Sequence, residues 1–164
     1  MRSFFGKKRE GARFTFQAIP SVYVGGGRDG DFSWMEKQPE HADTLFIFND
    51  NEEQFLAFVR GETLGFSAGG GNAAIRPLRK LGPPRAAGVP TGRDQCGYKN
   101  LDGPTKAVIN QSLAVIQELV NTGRYKRLIF SKDKDQETLG VRIYGPVDEV
   151  KQYIYDQLKA MMPR

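Results

Sequence analysis

Residues 44–48, Thr-Leu-Phe-Ile-Phe, restrict the possible folds more than any other stretch. Five successive β-formers with apolar side chains on both faces of the extended chain predict a strand covered from both sides. That is the setting of a strand in a parallel sheet. Polarity changes abruptly after Phe48, where Asn49, Asp50 and Asn51 follow. Open α/β sheets bind ligands at the carboxyl edge of the strands, so Asn49 and Asp50 become candidate site residues. Asp50 or Asn51 also suits the N-cap of the next segment, EEQFLAFVRG, a predicted helix with Phe55, Leu56 and Val59 for the core and Gly61 as its stop. Capping and ligand contact are compatible, since a cap occupies only one side chain.

The second constraint is LGFSAGGGNAAIRPLR, from Leu64 to Arg79. Leu64, Phe66 and Ala68 alternate with small polar positions and predict a short strand. Gly69, Gly70 and Gly71 then strip the backbone of side chains, Asn72 is suited to cap a new helix, and Pro77 limits that helix to a short piece. A glycine loop opening a helix presents unpaired N–H groups and the positive end of the helix dipole to one point, which suits a phosphate or diphosphate. The alternative is a Gly-rich turn that only joins two elements. An earlier stretch, VYVGGGRDG at 22–30, satisfies the GxGxxG spelling through Gly25, Gly27 and Gly30. It is followed by no sustained helical period before Pro39, so it reads as a surface turn or hairpin and not as a dinucleotide fingerprint.

The remaining pattern alternates strands with helices. A strand is predicted at 13–19 with Phe14, Phe16 and Ala18 on one face, and a short extended piece at 87–89 ends at Thr91 and Gly92. Residues 93–103 are polar and turn-rich, in the manner of a mobile flap. From Pro104 to Asn121, apolar residues recur at spacings of three and four, with Gly123 just beyond. RLIFS at 127–131 is a further strand. A charged loop then leads to Gly140, Ile143, Tyr144 and Gly145, and Pro146 opens a last helix to about Met161 with Val147, Val150, Ile154 and Leu158 as its buried stripe. This order predicts one α/β layered domain over 13–164, preceded by a basic arm at 1–12 that carries Arg2, Lys7, Lys8 and Arg9.

Cys96 and His41 stand alone in the chain, which leaves no material for an internal disulfide, a multi-cysteine metal site or a Ser/His/Asp arrangement. Neither a metal nor a cofactor is called for. No apolar run approaches the roughly 20 residues needed to cross a bilayer, and no secretory leader pattern opens the chain, so no membrane partner and a cytoplasmic setting are expected. The formal charge of +5 favours acidic partners. Arg76, Arg79, Lys80, Arg85 and Arg93 follow the glycine loop and are expected to add attraction for a charged nucleotide. The basic arm leaves nucleic acid as a lesser candidate partner.

The order of these pieces resembles the macrodomain family, whose members bind ADP-ribose and related NAD-derived nucleotides and some of which hydrolyse ADP-ribosyl bonds. The strand and polar end from Phe46 to Asn51, the glycine loop and short helix from Gly69 to Ile75, and the strand and turn from Gly88 to Gly92 are similar to that family's first half. Ala107 to Val120, Leu128 to Ser131 and Val141 to Val150 are similar to its later helix, strand and second loop, with Ile143, Tyr144 and Gly145 as shared letters. The chain departs from the family in an added stretch after Asn51, an extra Arg142, and the lack of a matching acidic residue for the adenine. The phrase GGGNAAIRP also resembles small phage proteins, which would put the chain in a host cytoplasm. Over residues 43–160 or so, the resemblance implies a three-layer sheet, mixed or mostly parallel, with helices on both faces. It implies that the backbone of Gly69, Gly70, Gly71 and Asn72 holds a phosphate, that Thr91 and Gly92 line the site, and that Gly140 to Gly145 closes over the diphosphate with Tyr144 on the distal ribose. Asn49 or Asp50 would then contact that ribose or orient a water. An ADP-ribosyl hydrolase and a non-catalytic protein that sequesters a nucleotide signal both fit these expectations.

Overall fold

The apolar run at 44–48 extends to Asp50 and becomes an inner strand of a parallel sheet. The computed structural model describes residues 15–143 and 145–164. In chain order its elements are β1 (Gln17–Val22), α1 (Phe32–Met35), β2 (Thr44–Asp50), α2 (Glu52–Val59), β3 (Ala86–Pro90), β4 (Gly92–Arg93), β5 (Cys96–Gly97), α3 (Gly103–Asn121), β6 (Arg127–Lys132) and α4 (Asp148–Lys159). Three 3-10 helices, Pro39–His41, Thr63–Phe66 and Gly71–Lys80, fill the connections. Among the described residues the main sheet has the order β1-β6-β2-β3, and all three ladders are parallel. β4 and β5 form a separate two-residue antiparallel hairpin.

The pleat of β2 sorts its side chains between two cores. Leu45 and Ile47 join Phe55 of α2, Ile109 and Ile116 of α3, Phe130 of β6, and Ile154 and Leu158 of α4. Phe46 and Phe48 point the other way, to Phe32 and Met35 of α1 and to Ala73 and Ile75. Each fully buried Leu, Ile or Phe side chain is worth roughly 1.5–3 kcal/mol, so a two-faced strand like β2 anchors both layers at once. The α/β class expected from the alternation is therefore the observed one. α3 begins at Asp102, whose carboxylate accepts the Thr105 N–H at 2.9 Å, and runs out before Gly123, where φ is +75°. Asn51 caps α2 by accepting the Gln54 N–H at 2.9 Å.

Other expectations need correction. Residues 64–68 are not a strand. Gly65 packs so tightly on the Phe58 backbone that a Cβ would lie 2.3 Å from its nitrogen, and Phe66 meets the Phe58 ring edge-on at 5.8 Å, so the segment folds as a 3-10 turn over α2. The helix after the glycine loop is a ten-residue 3-10 helix with Pro77 inside it. Asn72 does not cap it; Gly70 holds that position. The strand expected at 13–19 is displaced to Gln17–Val22, where Pro20 is tolerated because β1 is an edge strand. The basic arm, residues 13–14 and Tyr144 lie outside the described residues.

Candidate functional site

Because the four strands run parallel, their carboxyl ends share one edge, and the segments named from the sequence converge there. The Asn49 Nδ2 donates to the Gly140 carbonyl at 2.8 Å, joining the end of β2 to the loop after β6. This leaves the Asn49 Oδ1 without a partner among the described residues. Gly140 in turn donates its N–H to Ser131 at 3.0 Å, and a Cβ there would sit 2.7 Å from the Lys132 carbonyl oxygen. Thr91 is buried and donates both its N–H and its hydroxyl to the Asp50 carbonyl, at 3.0 and 3.3 Å. Gly92 is required by the hairpin, since a Cβ would lie 2.1 Å from the Cys96 carbonyl oxygen. Gly145 presses its carbonyl oxygen against Gly97 in the same way, and Ile143 is 72% exposed.

Asp50 is the electrostatic centre of this edge. Its side chain is fully buried, with Oδ1 accepting from Arg76 Nε at 3.1 Å and pairing with the second Arg76 nitrogen at 3.0 Å. Oδ2 accepts from Arg79 at 2.8 Å, and the Asn51 N–H adds a further bond to Oδ1 at 2.9 Å. In a 3-10 helix residues three apart share a face, which is why Arg76 and Arg79 reach the same carboxylate. Their remaining donors tie down the segment before them and α2: Arg76 to the Ser67 carbonyl at 2.9 Å, Arg79 to the Gly65 carbonyl at 2.7 Å and to the Gln54 carbonyl of α2 at 3.1 Å. The guanidinium groups also lie over Phe48, each 5.4 Å from its centroid, and Arg79 sits 4.4 Å from that of Phe58. Burial pulls the Arg79 pKa below its ordinary value, against the pull of Asp50. Two guanidinium groups against one carboxylate leave the cluster with a net charge of +1.

The glycine loop meets this cluster at Gly69. A Cβ on Gly69 would be 2.7 Å from an Arg76 nitrogen, so glycine is needed there by the fold. Gly70 is different: it has ordinary extended geometry, φ −79° and ψ 163°, with open space where a Cβ would point. Gly71 has φ +56° and the same open space. Among the described residues, the N–H groups of Gly70, Gly71 and Asn72 have no hydrogen-bond acceptor. The Asn72 side chain is engaged elsewhere, accepting the Phe32 N–H through Oδ1 at 2.9 Å and donating through Nδ2 to the Gly30 carbonyl at 2.9 Å. The same nitrogen approaches Ser131 Oγ at 3.5 Å. It thus joins the glycine loop to the 22–30 turn and to the end of β6.

The sequence does not reveal that Asp50 is the counter-ion of Arg76 and Arg79. The available signal is a lone carboxylate ending a strand buried on both faces, with two arginines three residues apart downstream, because a buried carboxylate requires cationic partners. The expected field of five cations beside the loop is also corrected. Arg76 and Arg79 lie inside the protein, Arg93 pairs with Glu52 at 3.3 Å, and Arg85 donates to the carbonyls of Glu36 and His41 near the amino edge of the sheet. A cavity of about 260 Å³ lined by Pro84, Leu119 and Tyr125 lies at that opposite edge, away from the converging loops. No family model, curated protein or solved structure matches the chain. Among the described residues, no group of three or more His, Cys, Asp or Glu could hold a metal ion, and no helix is long and apolar enough to cross a membrane.

Proposed function

We propose that this chain binds an ADP-ribose-type, NAD-derived nucleotide with a phosphate seated on the glycine loop. The observation that carries the reading is the set of three acceptor-free N–H groups at Gly70, Gly71 and Asn72 beside a buried cluster of net charge +1. Oriented N–H groups at a helix start and an uncompensated positive charge both favour an anion, and phosphate is the anion such loops accommodate. The order of elements that resembles the macrodomain family supplies the nucleotide class. Asn49 is held by Gly140 with its Oδ1 open to accept from a ribose hydroxyl. Binding without turnover is the favoured form of the proposal, because both Asp50 oxygens are committed to arginines and neither is free to activate water.

The test is a calorimetric titration with ADP-ribose, repeated on Gly70→Val. A ligand at one hundred times its dissociation constant raises stability by about 2.7 kcal/mol, so a thermal shift should accompany the heat. Since Gly70 is extended and faces open space, valine leaves the fold intact and obstructs only what approaches the loop from outside. The expected result is a variant that melts with the parent and no longer binds. Equal binding by both proteins would reduce the loop to a turn.

A further inference from the structure

The turn at 22–30 has no role in the phosphate site, yet it and the α1 helix that follows each carry an exposed aromatic group. Tyr23 is 44% exposed and Trp34, which packs under Gly27, is 38% exposed. The turn is held in place by the Asn72 bonds to Gly30 and Phe32, and Gly30 packs against Tyr23 so closely that a Cβ would meet the Tyr23 Cα at 2.3 Å. From the other side, the Arg142 guanidinium lies 5.3 Å from the Tyr23 ring centroid. Arg142 is two residues past Gly140, the carbonyl partner of Asn49. Tyr23 and Arg142 therefore stand on the turns after adjacent strands β1 and β6, connected by hydrogen bonds to the glycine loop on one side and to the end of β2 on the other.

From this placement we infer that Tyr23 and Arg142 form a stacking clamp for the aromatic base of the nucleotide whose phosphate sits on the glycine loop. The inference rests on that proposed function and adds the surface that selects a base-bearing ligand over a bare phosphate. An aromatic ring and a guanidinium plane each accept a planar base, without regard to its hydrogen-bonding edge. A base sandwiched between them needs about 7 Å, two stacking distances, so the exposed Arg142 side chain must swing outward by a small amount. The positive charge of Arg142 also complements the phosphates.

The experiment compares ADP-ribose with inorganic pyrophosphate, which has the phosphates but no base, against the parent, Tyr23→Ala and Tyr23→Phe. Tyr23→Ala should lose tenfold or more in affinity for ADP-ribose and keep the parent's affinity for pyrophosphate, while Tyr23→Phe keeps both. Unchanged ADP-ribose binding by Tyr23→Ala overturns the clamp, and so does an equal loss for both probes, which would make the turn a support for the loop. A parent that binds pyrophosphate but gains nothing from the base overturns the clamp while sparing the phosphate site. A parent that binds neither probe overturns the proposed function, and the clamp with it.

Discussion

Replacing Asp50 by asparagine should cost the fold about 3–5 kcal/mol, the range for removing one partner of a buried ion pair. The structure puts the change at the severe end of what a single substitution does. The side chains of Asp50, Arg76 and Arg79 are exposed by 0%, 3% and 1%, so water cannot replace the lost carboxylate charge. Asparagine retains one oxygen acceptor but turns its NH2 group toward one of the guanidinium groups, leaving two buried cations without a counter-ion. For a domain of this size each kcal/mol corresponds to roughly 2–4 °C, so the melting temperature should fall by about 6–20 °C. Urea unfolding of the parent, Asp50→Asn and the triple variant Asp50→Asn, Arg76→Met, Arg79→Met provides the decisive comparison. The triple variant should recover part of the loss, since it removes the stranded charges together with the carboxylate. A single variant within 1 kcal/mol of the parent would refute the assignment of Asp50 as a structural counter-ion.

Two further expectations concern the two edges of the sheet, His41 at the amino edge and Asn72 beside the site. His41 has its Nδ1 3.1 Å from the Thr44 hydroxyl, and burial, then the charge of Arg127, lowers its pKa, against the opposing pull of Glu40 and Asp29. The neutral ring is thus the folded form, so its contribution is complete above the unfolded value near 6.5 and declines as the pH falls below it. Urea midpoints at neutral and mildly acidic pH should drop less for His41→Gln than for the parent, and parallel drops would count against this account. Asn72→Ala should cost about 1–3 kcal/mol by leaving the Phe32 N–H and the Gly30 carbonyl without partners. Hydrogen exchange at the Phe32 amide should quicken, and unchanged exchange would mean that the 22–30 turn holds its shape unaided.

The sequence is most legible where a periodic pattern meets a large burial term. Leu45, Phe46, Ile47 and Phe48 announce a strand buried on both faces, and α3 follows its three-and-four spacing from Pro104 almost to Gly123. Legibility fails where tertiary contacts outrank local alternation. Leu64, Phe66 and Ala68 alternate like a strand, but the Gly65 carbonyl is claimed by Arg79 and the Phe66 ring by Phe58, neither of which is local. Asn72 has the composition of a cap and acts as a cross-link to residues about forty positions away, a pairing that no spacing rule reveals. The candidate site divides in the same way. Its glycines are visible in the sequence, but only the fold distinguishes Gly69, which makes room for Arg76, from Gly70, which faces outward.

Asp50 separates a role in the ligand site from a role in the fold through the sign of a second measurement. If its carboxylate held a ribose or a water, Asp50→Asn would weaken nucleotide binding. As the counter-ion of Arg76 and Arg79 it does the reverse, because the substitution raises the charge of the cluster beside the glycine loop from +1 to +2. An added buried positive charge strengthens the attraction for an anion seated on the loop, before any relaxation of the destabilised loop. The variant should therefore unfold more easily and bind pyrophosphate more tightly, with the gain fading in high salt as screening sets in. Affinity has to be measured well below the variant's melting temperature, where both proteins are folded. Loss of pyrophosphate binding along with stability would remove the charge argument on which the phosphate site rests, and loss of ADP-ribose binding with pyrophosphate binding kept would return Asp50 to the ribose.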